Sequence, residues 1–150
     1  MSESSSVAPA EHELPYPWVR LRSATAHAFI YRRMLADVDP AARPGDFVAV
    51  YDKHDRFFGH AFYHDRSQIA LRMLSHVPQP SDEEFFRSRL RLALDWRDRL
   101  LGGDAKTDVY RLVHSEGDSF SGLIAERYAD VIAIEIFSLG VYRRIELIKR

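Results

Sequence analysis

The stretch YRLVHSEGDSFSGLIAERYADVIAIEIF, residues 110–137, holds apolar runs around a polar turn. Tyr110–Val113 and Val131–Phe137 read as strands, and Ser115-Glu116-Gly117-Asp118-Ser119 reads as the turn after the first of them. A third run, Gly122–Glu126, fits a strand between these two, with Ala129-Asp130 turning the chain into the last. Acids and glycine held between strands point to a fixed scaffold rather than a mobile loop.

Upstream, Ser81-Asp82-Glu83-Glu84 has the form of a capping box, with Ser81 as cap and Glu84 three residues on. The helix it opens is expected to run to about Leu101 and to stop at Gly102-Gly103. At about 100° per residue, Phe85, Phe86, Leu90, Leu92, Ala93, Leu94, Trp96, Leu100 and Leu101 cover a wide arc. That arc predicts packing on more than one side. Arg97 projects into it.

The first half reads as strands. Trp18–Arg22 alternates. Asp46–Asp52 and Arg56–His64 flank the polar turn Lys53-His54-Asp55, and Ser67–Ser75 follows. Gly59 inside its strand suggests a bulge or a close backbone approach. His27–Leu35 suits a short helix. Residues 1–14 offer almost nothing large to bury and are expected to be a disordered tail. Val141–Arg150 looks like a helix just begun, with little to pack against and therefore frayed. The expected architecture is α+β: a β-barrel unit over residues 15–77, a strand–helix–strand module over 78–140, and a helix start or linker over 141–150.

Composition fits a folded chain. Of 150 residues, 46% are hydrophobic and 29% charged, so a core is within reach. The net charge of −1 gives no broad electrostatic case for nucleic acid. With no cysteine, thiolate zinc sites, disulfides and cysteine nucleophiles are excluded from these residues. The start lacks the pattern of a signal peptide and no run is long enough to span a membrane, so a cytoplasmic protein is expected.

Residues 15–77 carry nine basic residues against six acids, with Trp18, Phe29, Tyr31 and Tyr63 interspersed. Arginine neutralises phosphate and flat rings stack on unpaired bases, so this suits RNA. A solvated surface over core aromatics accounts for the same composition. Arg97 or Arg111 is expected to pair with Glu116 or Asp118 and fix the turn, because an arginine on an apolar helix face, as Arg97 is, must be paired. An acid pair or metal site at Glu116 and Asp118 is the weaker reading: nearby arginines would keep both ionised, and no third oxygen ligand is close in sequence. His54, His60 and His64 match no zinc spacing. No phosphate-binding glycine loop and no strand–glycine–helix fingerprint occurs.

The quoted stretch resembles the pattern "YRL-x-x-GE-x-DGLPGL-x-x-D-x-Y" of class I SAM-dependent large-subunit (23S) rRNA cytosine-5 methyltransferases. Tyr110, Arg111, Leu112, Glu116, Asp118, Gly122, Leu123, Arg127 and Tyr128 match. HAFIY at 27–31, PGDFVAVYDKHDRFFGHAFYHDRSQIALRMLS at 44–75 and FFRSRLRLALDWRDRL at 85–100 are similar to further family segments in the same order. Ser119 and Ser121 depart from it, standing where the family has glycine and proline.

The resemblance implies a PUA-like RNA-binding domain, then a central module, then a Rossmann-type SAM-binding domain that residues 1–150 do not include. The cysteine such enzymes use is also absent here. The resemblance therefore implies RNA, specifically rRNA, as partner, with S-adenosyl-L-methionine as cofactor only of the longer enzyme. The expected RNA contacts are Arg32, Arg33, Arg66 and Arg72 for phosphate and Tyr63 for stacking. Alternatives are a free-standing PUA-like RNA-binding protein and a protein-interaction scaffold.

Overall fold

The computed structural model describes residues 16–23, 25–78, 82–102 and 106–149. The expected tail at 1–14, the Ser81 cap and Gly103 of the helix stop lie outside these residues.

Among the described residues nine strands form two sheets, accompanied by three α-helices. β1 (Trp18–Leu21), β2 (Phe29–Tyr31), β3 (Leu35–Val38), β4 (Phe47–Tyr51), β5 (Phe57–Tyr63) and β6 (Ile69–Ser75) make a six-stranded sheet in the order β2-β6-β5-β4-β1-β3. The two end strands, β2 and β3, are consecutive in the chain and joined by a 3-10 turn at Arg32–Met34. The sheet therefore curls into a half-barrel. After it come α1 (Asp82–Leu101), then β7 (Val109–His114), β8 (Leu123–Tyr128) and β9 (Val131–Ile136), an antiparallel meander. Two single-turn helices, α2 (Leu139–Tyr142) and α3 (Ile145–Ile148), follow.

The β4–β5 hairpin is set by Asp52. Its carboxylate accepts the backbone N–H of His54 (2.8 Å) and of Arg56 (3.0 Å). This is the local bonding by which aspartate stabilises turns. In β5, Gly59 lies so close to β6 that an added Cβ would sit 2.2 Å from the Ser75 carbonyl oxygen. The register against β6 shifts just after it, between His60 and Ala61.

The expected helix over His27–Leu35 is not formed. Phe29–Tyr31 pairs with β6 instead, with Ile30 opposite Leu71 and the Met73 N–H donating to Ala28 O (2.8 Å). Ile30 is fully buried while Tyr31 is exposed, the alternation of a strand. A nine-residue helix gains little on its own. An edge that completes the half-barrel gains a ladder and a buried isoleucine.

Two apolar cores result. Val19, Leu21, Ile30, Val48, Val50, Ala61, Leu71 and Met73 fill the inside of the curl. On the outer face Phe47, Phe62 and Leu74 meet Phe85, Phe86 and Ala93 of α1, Val113, Leu123 and Ala125 of the second sheet, Phe120 and Val141. Strands β4 to β6 are thus covered on both faces, which explains the unbroken apolar run FVAVY in β4.

Helix α1 is narrower in its packing than its composition suggests. Phe85 and Phe86 are fully buried, but Leu92, Trp96 and Leu100 are more than half exposed. The segment after Val141 also differs from expectation. Val141 is fully buried, and Leu147 and Ile148 pack against the outer core. At Gly140 an added Cβ would lie 2.2 Å from the Phe62 ring. Only glycine lets α2 press on that ring. Arg144 stacks over the same ring at 5.0 Å and donates to Gly45 O and Gly140 O.

Candidate nucleic-acid interface

The 3-10 turn at Arg32–Met34 lies against the turn between β5 and β6. The Arg32 N–H donates to Gln68 O (3.1 Å) and its guanidinium to Ser67 O (3.1 Å). This brings Arg32 beside the turn that carries Arg66, whose own N–H donates to His64 Nδ1 (3.1 Å). Arg32, Arg33 and Arg66 are exposed, and none bridges a carboxylate among the described residues. Other arginines are committed: Arg20 to Asp37 and Asp55, Arg56 to Asp52. Asp52 is held down to about 2, chiefly by its bond from Arg56.

Two of the expected RNA contacts, Tyr63 and Arg72, are less exposed than Arg32, Arg33 and Arg66. Tyr63 is 9% exposed and packs among the residues inside the curl, with only its remaining surface lining a cleft beside His64, Arg72 and Phe137. Burial also raises its phenol above the usual range. Arg72 is half-buried, lies over the Phe29 ring at 4.9 Å and reaches Glu116 Oε1 at 3.4 Å. Its charge is shared with protein groups.

The exposed rings are elsewhere. Tyr31 precedes Arg32 and is 42% exposed. Phe137 is 49% exposed and lines a cleft with His64, Ser67, Arg72 and Ser138. The sequence offers Tyr31 only as one of several aromatics among basic residues, and gives no signal for Phe137. The expected helix over His27–Leu35 hides the strand-end position of Tyr31, and Phe137 is brought to the cleft only by the second sheet docking on the first.

The acidic turn at 115–118 is a fixed brace. Asp118 accepts two bonds from the Arg97 guanidinium, 2.6 and 2.7 Å, and one from the His114 N–H at 2.5 Å. Both side chains of that pair are only 13% exposed. Burial alone would raise the Asp118 carboxyl, but the Arg97 and His114 bonds outweigh it and leave it below the usual range. Arg97 Nε also donates to Arg111 O (2.9 Å). Arg111 itself turns to Glu126 (2.6 Å) and His114. Glu116 accepts the Ser121 hydroxyl at 2.7 Å. It too is lowered, with burial opposed by its hydroxyl bonds and Arg72. Both carboxylates are engaged as acceptors, which argues against proton-transfer or metal-ligand roles. Among the described residues no group of three or more metal-ligating side chains occurs. His60 is buried against Phe47, and burial lowers its imidazole.

The two departures from the family pattern have local consequences. Ser121 supplies the hydroxyl that holds Glu116. Ser119 takes a left-handed conformation, φ 55°, which glycine adopts without strain. Ser119→Gly is therefore expected to stabilise the chain by up to about 1 kcal/mol, read as a rise in the urea midpoint. No rise, or a fall, would mean that the serine side chain compensates the strain.

The curled sheet, its committed inner core and its basic end define a PUA-like domain, and the "PUA-like domain" family matches residues 22–76. Among curated proteins the chain is 32% identical to a ribosomal RNA large subunit methyltransferase of Deinococcus radiodurans, over 81% of this chain and 33% of that protein. It is 30% identical to ribosomal RNA large subunit methyltransferase I of Escherichia coli, over 81% of this chain and 31% of that one. Its fold is similar to that of a putative SAM-dependent methyltransferase from Streptococcus mutans, with a TM-score of 0.67 at 19% identity, covering 88% of this chain and 36% of the other. The chain thus carries a PUA-like domain and is similar, over most of its length, to the N-terminal, PUA-bearing part of large-subunit rRNA methyltransferases. It spans about a third of the length of the curated relatives it matches. No helix among the described residues is long and apolar enough to cross a membrane.

Proposed function

We propose that this chain targets RNA for a SAM-dependent enzyme that methylates cytosine C5 of large-subunit rRNA. Residues 15–77 hold the RNA, and residues 78–140 are the bracing module. The observation that carries the reading is the cluster of Arg32, Arg33 and Arg66, exposed, without carboxylate partners and held at one end of a PUA-like sheet. Their guanidinium groups take phosphate. Tyr31 and Phe137, rather than Tyr63, offer ring faces to unpaired bases. Arg72 lines the cleft beside Phe137.

The residues present do not fit SAM. Among the described residues the one parallel strand pair, β1 with β4, is not connected by a helix, and no glycine-rich turn leads from a strand into a helix. The methyl donor belongs, on this reading, to the remaining two thirds of the relatives' length. Calorimetry of the 150-residue chain with SAM is expected to show no saturable binding.

The RNA reading is tested by changing Arg32, Arg33 and Arg66 together to Gln. Affinity for a structured rRNA fragment is expected to fall at least about tenfold. The slope of log K against log salt should become shallower by about 2, because fewer counterions are released. Arg87→Gln, on the exposed side of α1, should change neither quantity. Unchanged affinity and slope in the triple variant would favour a protein-interaction scaffold.

A further inference from the structure

β9 is an open edge. It stands last in the order β7-β8-β9, and among the described residues no strand pairs with its outer side. Its inner side is fully engaged. The Phe137 N–H donates to Gly122 O (2.9 Å), and the ladder runs from Leu123↔Ile136 to Tyr128↔Val131 with no register shift. Antiparallel bonding alternates along a strand. Val131, Ala133, Glu135 and Phe137 therefore bond to β8, while Ile132, Ile134 and Ile136 turn their N–H and C=O groups outward.

The edge is apolar as well as unpaired. Val131 and Ile132 are each 58% exposed, Phe137 49% and Ile134 41%. Proteins usually blunt such an edge with lysine, proline or a bulge. The run VIAIEI has none of these, and its one charge is Glu135.

We propose that β9 is a self-association edge, where two copies pair antiparallel about a two-fold axis to make a continuous sheet. One register uses every outward backbone group. Ile134 faces the partner's Ile134, and Ile132 faces the partner's Ile136. On one face this builds an unbroken row of isoleucines, and on the other it sets Glu135 against the partner's Ala133. Of the two neighbouring registers, one sets Glu135 against the partner's Glu135 and is opposed by charge, and the other sets Ile136 against the turn residue Asp130 and wastes its outward bonds. The strand alone buries on the order of 1,000 Å² in total, the low end for a specific contact. The dimer is therefore weak and dissociates on dilution.

The absence of native cysteine makes a single introduced one a clean probe. Across a hydrogen-bonded pair the Cα atoms are about 5.5 Å apart, within disulfide reach. Ile134→Cys is expected to form a covalent dimer under mild oxidation, at least about tenfold faster than Glu135→Cys. In sedimentation, the unaltered chain should show a concentration-dependent dimer. Ile134→Pro should abolish it, since that change removes an outward N–H and leaves the β8 ladder intact. Ile132→Lys should do the same and carries the test alone if the proline variant does not fold. The proposal is overturned by a monomer at every concentration up to ~500 µM, far above the micromolar range of weak interfaces. It is equally overturned if both cysteine variants cross-link alike, or if the dimer survives both edge substitutions.

Discussion

Phe86→Ala is expected to lower the unfolding free energy by about 4 kcal/mol. The side chain is fully buried. Its ring stacks on Phe62 at 5.8 Å, meets Phe85 edge-on at 5.5 Å and lies 5.1 Å from Phe120. These partners come from the half-barrel, from α1 itself and from the approach to β8. They cannot close over the gap together, because Gly140 and Arg144 already hold Phe62 from other directions. The lost transfer energy is thus joined by a cavity term. Small domains are stable by only about 5–15 kcal/mol, so the variant will be largely unfolded in modest urea. A loss below about 1.5 kcal/mol would show that the aromatic cluster repacks freely.

Arg97→Met should cost about 3 kcal/mol or more, since it leaves the Asp118 carboxylate half-buried with no opposite charge. The double change Arg97→Met with Asp118→Asn should recover part of that loss, because the stranded charge is gone. Arg111→Met is the contrast. Its bridge to Glu126 is 39% and 30% exposed, and a loss under about 1 kcal/mol is expected. The Arg97 contribution should also depend on pH. The Asp118 pKa is depressed in the folded state, so its stabilisation is complete above the unfolded aspartate value of about 3.9. It disappears as pH falls through the lower folded value. The gap between the unaltered chain and Asp118→Asn should accordingly narrow only below about pH 4. A gap that closes well above pH 4 would show that a group other than Asp118 carries the dependence.

Elements with strong periodicity or strong punctuation were legible in the sequence. The β4–β5 hairpin carries its aspartate turn, α1 carries its apolar stripe, and the β7–β9 meander carries two turn signals. The error at residues 27–35 came from short range. Phe29, Ile30 and Met34 suit one side of a helix, but they also suit the end strands of a curled sheet, and β6 lies some forty residues away. The same limit applies to the surface. Arg32 and Arg66 stand apart in sequence, and it is the bond from Arg32 to the Ser67 carbonyl that brings their turns together. Tyr63 read as an RNA contact because aromatics beside arginines read the same whether they point in or out. Strand parity could have separated the two, since Tyr63 shares its side with Ala61, which lines the inner core.

The outer core has a consequence for how this region can be inherited or transplanted. Phe47, Phe62 and Leu74 belong to strands of the PUA-like sheet, yet their cover comes from α1, Phe120 and Val141. A fragment ending at Val77 would keep every strand of the half-barrel and present those three side chains to water. Recombination that moved the half-barrel alone into another gene would therefore deliver a sticky, unstable graft. The smallest portable unit extends through the Arg144 clasp, so the module behind the sheet travels with it.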